Sequence, residues 1–157
     1  AVAFWLSKKY HVAPEPLSAL VAEAYEVGNR TKLPPTLILA VMAVESGFNP
    51  FAQSAVGAQG LMQVMTKVHS DKYQLFGGKL AAFDPVTNLR VGVKVLQECI
   101  QRAGSVKEGL KHYVGAAQLG EPQIGVDELD LVDHRAAQIG GIQRGARQIG
   151  QRDQRVG

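Results

Sequence analysis

The run Leu37-Ile38-Leu39-Ala40-Val41-Met42-Ala43-Val44 constrains this chain more than any other stretch. It has no polar face. Pro34 and Pro35 stand just before it, where proline is tolerated because the first helical turn needs no N–H donor. A helix that is apolar all round has to be buried, so the rest of the chain must wrap around this one. Glu45 follows directly. A carboxylate against apolar walls is driven toward its protonated form, and a carboxylic acid that keeps its proton near neutral pH can give it up in catalysis.

The next stretch is chemically one-sided. From Ser46 to Ser70 there is no Asp or Glu. Most glycoside hydrolases set two carboxylates across the scissile bond, and no second one is near Glu45 in the chain. Ser46, Asn49, Gln53, Ser54, Gln59 and Gln63 instead offer neutral hydrogen-bonding groups, suited to the hydroxyls and amides of N-acetylated sugars. Asn49-Pro50 marks a turn, Gly47, Gly57 and Gly60 permit tight backbone, and Gly60-Leu61-Met62-Gln63 reads as the start of a short helix.

The flanking segments read as helices that cover the apolar one. Ala1–Tyr10 is a short helix whose Phe4, Trp5 and Leu6 cap the core, and His11–Pro16 is a connector. Leu17, Leu20, Val21, Ala24 and Val27 line one side of a helix that stops near Gly28-Asn29. Lys67–Phe83 is a loop with one helical turn. Asp84 is placed to cap a helix in which Leu89, Val93, Leu96 and Ile100 share a face, and Gly92 within it points to close packing. Ser105 and Glu108 form a capping box for the next helix, with Leu110, Tyr113, Val114 and Ala117 inward. Asp127–Ala137 has helical character. Ile139–Gly157 is rich in Gly, Gln and Arg, its helical period is poor, and it is expected to be a loosely ordered tail, or else an Arg-rich arm for an anionic glycan or another partner.

Composition limits the function classes. With 157 residues, 46% apolar and 20% charged, the chain makes one globular domain with a real core. A net charge of +3 suits an anionic polymer but falls well short of a nucleic-acid-binding arm. No run is long enough to span a membrane, and no export signal is visible in the chain. Cys99 lies on an apolar helical face and is expected to pack in the core. His11, His69, His112 and His134 are scattered without metal-ligand spacing, so neither a metal nor another cofactor is expected. No phosphate-binding Gly-Lys loop or Ser-His-Asp grouping is present.

The segment ESGFNPFAQSAVGAQGLMQVM, from Glu45 to Met65, resembles the signature of lytic transglycosylases with a soluble-lytic-transglycosylase (SLT) domain. That pattern is Glu-Ser-x-Phe-Asn-Pro, then a Ser before Gly-Ala-x-Gly-Leu-Met-Gln, then a second Met, and every position is matched. Thr66 stands where the family commonly has Pro. DPVTNLRVGVKVLQECI resembles the family's second block, and Tyr-Val-Gly-Ala-Ala from Tyr113 takes the place of its Tyr-Asn-Ala-Gly block, with Val114 replacing the Asn. The likeness runs from about Leu33 to Ala117. The family closes with a further Tyr-bearing helix, whereas this chain has no Tyr after Tyr113.

The resemblance implies an all-α, lysozyme-like domain with a substrate groove: an N-terminal helical segment (1–32), a transglycosylase core (33–118) and a divergent C-terminal tail (119–157). It implies cleavage of the MurNAc-β-1,4-GlcNAc bond of peptidoglycan without water, giving 1,6-anhydroMurNAc ends. Glu45 would act first as acid and then as base. Tyr113 would lie beside Glu45, with Ser54, Gln63 and Met65 along the glycan groove. The implied partner is a peptidoglycan glycan strand in the periplasm or cell envelope, with room for an envelope-spanning secretion or assembly machinery. The chain is expected to be a monomer and not to bind nucleic acid. Two alternatives stand beside this: a lysozyme-like muramidase that uses water, with Asp71 or Asp84 as its second carboxylate, and a non-catalytic peptidoglycan-binding or assembly protein.

Overall fold

The computed structural model describes the backbone of residues 1–119 and 126–156, and their side chains except those of 79, 117–119, 126–132 and 156. These residues form seven helices and a two-stranded hairpin. In chain order they are α1 (Val2–Tyr10), α2 (Pro14–Thr31), α3 (Pro35–Ser46), β1 (Ala58–Gln59), β2 (Val64–Met65), α4 (Ser70–Gln74), a 3-10 turn (Lys79–Phe83), α5 (Pro85–Ala103), α6 (Val106–Leu119) and α7 (Val126–Val156).

α3 is the axle. Its residues from Thr36 to Ala43 are all buried, as an apolar run without a polar face requires. Pro35 starts it, and Gly47 ends it in the left-handed conformation (φ 57°), its N–H donating to the Ala43 carbonyl at 3.1 Å. α2 and α7 pack along α3, and α5 and α6 form a second pair. α2 turns Leu17, Leu20, Ala24 and Val27 inward. α5 is capped by Asp84, whose Oδ1 accepts from the Thr87 N–H at 2.8 Å, and buries Leu89, Val93 and Leu96. Gly92 lets α5 approach the hairpin turn: a Cβ there would lie 2.6 Å from Met62 Cβ. At the start of α6, Ser105 Oγ accepts from the Glu108 N–H at 3.2 Å.

Three expectations are corrected. Phe4 does not cap the core. It is 64% exposed with the Lys8 ammonium over its ring, because α1 turns Val2 and Leu6 inward, one turn apart. Gly60–Gln63 is not a helix start. It is the turn of the β1–β2 hairpin, in which Ala58 pairs with Met65 and Gln59 with Val64. Gly60 and Gln63 both take positive φ there (81° and 51°), which a right-handed helix excludes.

The third correction concerns the C-terminus. Residues 126–156 form a continuous 31-residue helix rather than a loose tail. Its hidden period is Ile139, Ile142, Ala146 and Ile149, at steps of three, four and three. Ile139 and Ala146 are fully buried, with Ile142 and Ile149 packed at the margin. The helix runs antiparallel to α3: Arg135 reaches Glu45 at the end of α3, and Arg147 reaches Thr36 at its start. Packing of this stripe outweighs the low helix propensity of its glycines. Residues 120–125, which belong to the expected tail, lie outside the described residues.

Candidate active site

Glu45 occupies the last turn of α3, and its side chain has no exposed surface. Facing it from α7, Arg135 Nη1 lies 3.6 Å from Glu45 Oε2. The residues after Glu45 fix how the chain leaves the helix. Ser46 Oγ bonds back to the Met42 carbonyl at 3.0 Å. Phe48 takes a positive φ of 65°, uncommon for an aromatic residue, and is held by burial and by an edge-to-face contact with Tyr10 at 5.3 Å. Asn49 Oδ1 accepts from the Phe51 N–H at 3.0 Å and closes an Asx turn. The Glu-Ser-Gly-Phe-Asn-Pro sequence thus ends the helix at a defined angle.

The hairpin turn is gripped from two sides at Met62. The Met62 N–H donates to Asn88 Oδ1 at 2.7 Å, and the Tyr113 hydroxyl donates to the Met62 carbonyl at 2.6 Å. Asn88, fully buried on α5, also donates from Nδ2 to the Gln59 carbonyl (2.9 Å) and to the Tyr73 hydroxyl oxygen (3.2 Å). Burial pushes the Tyr113 hydroxyl well above the ordinary phenol range, and the negative charge of Glu45 pushes it further. Tyr113 is therefore a neutral hydrogen-bond donor that feels the Glu45 charge. Tyr73 is also raised by burial, partly offset by its bond from Asn88.

Ser54, Gln63 and Met65 sit in the loop and hairpin between α3 and α4. Ser54 Oγ accepts from the Ala58 N–H at 3.0 Å, and its own N–H donates to the Ala58 carbonyl at 2.9 Å. Gln63 is buried and its Nε2 donates to the Ala52 and Gly60 carbonyls, both at 3.0 Å, so its amide ties the loop to the hairpin. Met65 is half-buried. Thr66 is buried and donates to Gln59 Oε1 at 2.9 Å. Asp84 is occupied in capping α5, and Asp71 is exposed beside Lys72. Among the described residues no three His, Cys, Asp or Glu side chains gather where they could hold a metal.

Sequence reasoning did not single out Arg135, Asn88 or Tyr73 as parts of this region. Asn88 carried a usable signal, a polar residue on the same face of α5 as Leu89 and Gly92. Arg135 carried none, since only the docking of α7 brings it to Glu45.

The family model of the transglycosylase SLT domain matches residues 7–120. The chain belongs to the transglycosylase SLT domain family. The match begins in the second half of α1 and takes in all of α2. Relatives include a transglycosylase of Enterobacteria phage PRD1, 37% identical over 83 residues that cover 53% of this chain and 29% of the relative. The soluble lytic murein transglycosylase of Escherichia coli K12 is 33% identical over 81 residues, covering 47% of this chain and 12% of that protein. The type IV secretion system protein virB1 of Brucella abortus is 33% identical over 93 residues, covering 44% and 39% respectively. The chain therefore spans well under half the length of each of these relatives. Among solved structures, an inactive Glu-to-Gln mutant of the lytic transglycosylase Slt from Pseudomonas aeruginosa superposes with a TM-score of 0.59. It is 19% identical and the match covers 83% of this chain and 24% of that one. The SLT-domain fold, all-α and lysozyme-like, is thereby established for this chain. Among the described residues no helix is long and apolar enough to cross a membrane.

Proposed function

We infer that this SLT-domain chain cleaves peptidoglycan strands as a lytic transglycosylase, with Glu45 as the acid and then the base. The observation that carries the reading is the placement of Glu45. It follows the apolar run Leu37–Val44 in the last turn of α3, and its carboxyl is buried. In the acid step, protonated Glu45 gives its proton to the oxygen between N-acetylmuramic acid and N-acetylglucosamine, and the C1–O bond breaks with oxocarbenium character. In the second step the Glu45 carboxylate takes the proton of the muramoyl C6 hydroxyl. O6 then bonds to C1 and closes a 1,6-anhydro ring. The proton returns to Glu45 and no water enters, so one carboxylate serves both steps.

Ser54 and Met65 are assigned to the glycan groove, with Gln63 holding the loop that shapes it. Tyr113 steadies the hairpin turn through the Met62 carbonyl. The substrate places the protein in the periplasm or cell envelope, acting as a monomer. Similarity to a type IV secretion system protein supports a role beside an envelope-spanning machinery. Hydrolysis is disfavoured by the capping role of Asp84. A second reading, a glycan-binding protein without turnover, is favoured by one observation, the Arg135 guanidinium against Glu45.

Mass spectrometry of material released from purified sacculi tests the proposal. Muropeptides ending in 1,6-anhydromuramic acid are expected. Free reducing ends would make the protein a hydrolase, and binding without release would make it a binding module.

A further inference from the structure

The Glu45–Arg135 pair stands in the way of the acid step. A glycosidic oxygen has to come within about 2.6–3.2 Å of the carboxyl that protonates it. The Glu45 side chain has no exposed surface to be approached, and Arg135 Nη1 stands 3.6 Å from Oε2.

The helix that carries Arg135 is weakly built. Gly140, Gly141, Gly145 and Gly150 lie inside α7, and a glycine within a helix costs about 1 kcal/mol relative to Ala. A Cβ would sit 3.3 Å from the Trp5 ring at Gly145 and 3.3 Å from the end of the Arg144 side chain at Gly140. At Gly150 nothing lies within 4 Å of that position, and at Gly141 the nearest atom is the end of the Arg144 side chain at 3.9 Å. These glycines lower helix stability without admitting a neighbour. Besides the apolar stripe, α7 is held by Asp133, 2.9 Å from the Lys111 ammonium of α6, by a long 3.4 Å bond from Arg147 to Thr36, and by Asp153, 3.5 Å from the Ala1 ammonium. The two ion pairs are largely exposed and contribute little. Elements that move are drawn from such weakly held parts of a molecule.

We propose that α7 is an autoinhibitory latch, in which Arg135 closes over Glu45 and a glycan strand reaches the carboxyl only when this part of α7 lifts away. The proposal rests on the reading of Glu45 as the acid. A strand that binds only the open form draws the population toward it, and its apparent affinity is lowered by the fraction of molecules that are open.

The test uses the full chain with purified sacculi, comparing the wild type with Arg135→Gln and with the double variant Gly141→Ala/Gly150→Ala, each checked for fold by circular dichroism. The readouts are the rate of muropeptide release, affinity in sacculus pelleting, and amide exchange across residues 133–156. Arg135→Gln is expected to raise release roughly five- to hundredfold, the range of a typical coupling between sites, and to speed exchange in α7. The Gly→Ala pair is expected to slow both. Unchanged or slower release by a folded Arg135→Gln variant would overturn the latch. If no variant releases product, affinity decides. Tighter pelleting by Arg135→Gln would keep the latch over the groove while removing the catalytic reading, whereas equal affinity would remove the latch. Neither release nor binding in any variant would overturn both.

Discussion

Replacing Asn88 by Ala separates the scaffold of the site from its chemistry. The side chain is fully buried and makes three hydrogen bonds, to the Met62 N–H, the Gln59 carbonyl and the Tyr73 hydroxyl. Truncation leaves the Met62 N–H and the Tyr73 hydroxyl in the interior without this partner, and an orphaned buried polar group costs about 1–3 kcal/mol. The Gln59 carbonyl is only partly buried and adds less. The sum is about 2–6 kcal/mol. For a chain of this size each kcal/mol moves the midpoint by roughly 2–4 °C, so the thermal transition should fall by about 4–24 °C. Urea titration followed by helix circular dichroism gives the free energy directly, with an unchanged slope showing that the unfolded state is the same. Asn88→Asp keeps an acceptor for Met62 but loses both donated bonds and should not rescue stability. A loss below about 1 kcal/mol in Asn88→Ala would refute the claim that this network holds the turn.

Three further outcomes follow from the geometry. Gly92→Ala puts a Cβ 2.6 Å from Met62 Cβ and 2.7 Å from its sulfur, and should cost about 1–3 kcal/mol in urea unfolding by overpacking. Asp84→Ala should cost about 1 kcal/mol through loss of the α5 cap. The Asp84 carboxyl is held below its ordinary range by its bonds to Thr87, so the difference between the two proteins should be full above about pH 4 and shrink as the pH falls through the folded-state value. Tyr113→Phe leaves the Met62 carbonyl without its side-chain donor and should lower stability by about 1–2 kcal/mol. Release from sacculi should fall while helix content is kept, and unchanged turnover would remove Tyr113 from the site.

The legible parts of this chain are those in which a local pattern decides the outcome. Leu37–Val44 could only be buried, and all of it but the half-buried Val44 is. The spacing of Leu89, Val93 and Leu96 determines the inward face of α5, and Asp84-Pro85 marks its start. Glu45 is visible as the first charge after an apolar run, and the residues around it carry the family likeness. The illegible parts depend on contacts far apart in the chain. Gly60–Gln63 reads as a helix start, but Asn88 and Tyr113, from two later helices, hold Met62 in a hairpin turn. Phe48 takes a left-handed conformation because Tyr10 and the core hold its ring, which nothing in Ser-Gly-Phe-Asn-Pro announces. In α7 the glycines and polar residues hide a stripe of Ile and Ala whose worth depends on α3 lying opposite. Arg135 becomes part of the site only through that docking, so no spacing rule would connect it to Glu45.

The central claim is that Glu45 carries the proton through both steps. The most direct measurement is release of 1,6-anhydromuropeptides from sacculi by the wild type and by Glu45→Gln, alongside pelleting of both proteins with the same sacculi. An amide can neither donate nor accept that proton, so the account predicts that release disappears while binding persists. Anhydromuropeptide release that survives in Glu45→Gln would contradict it.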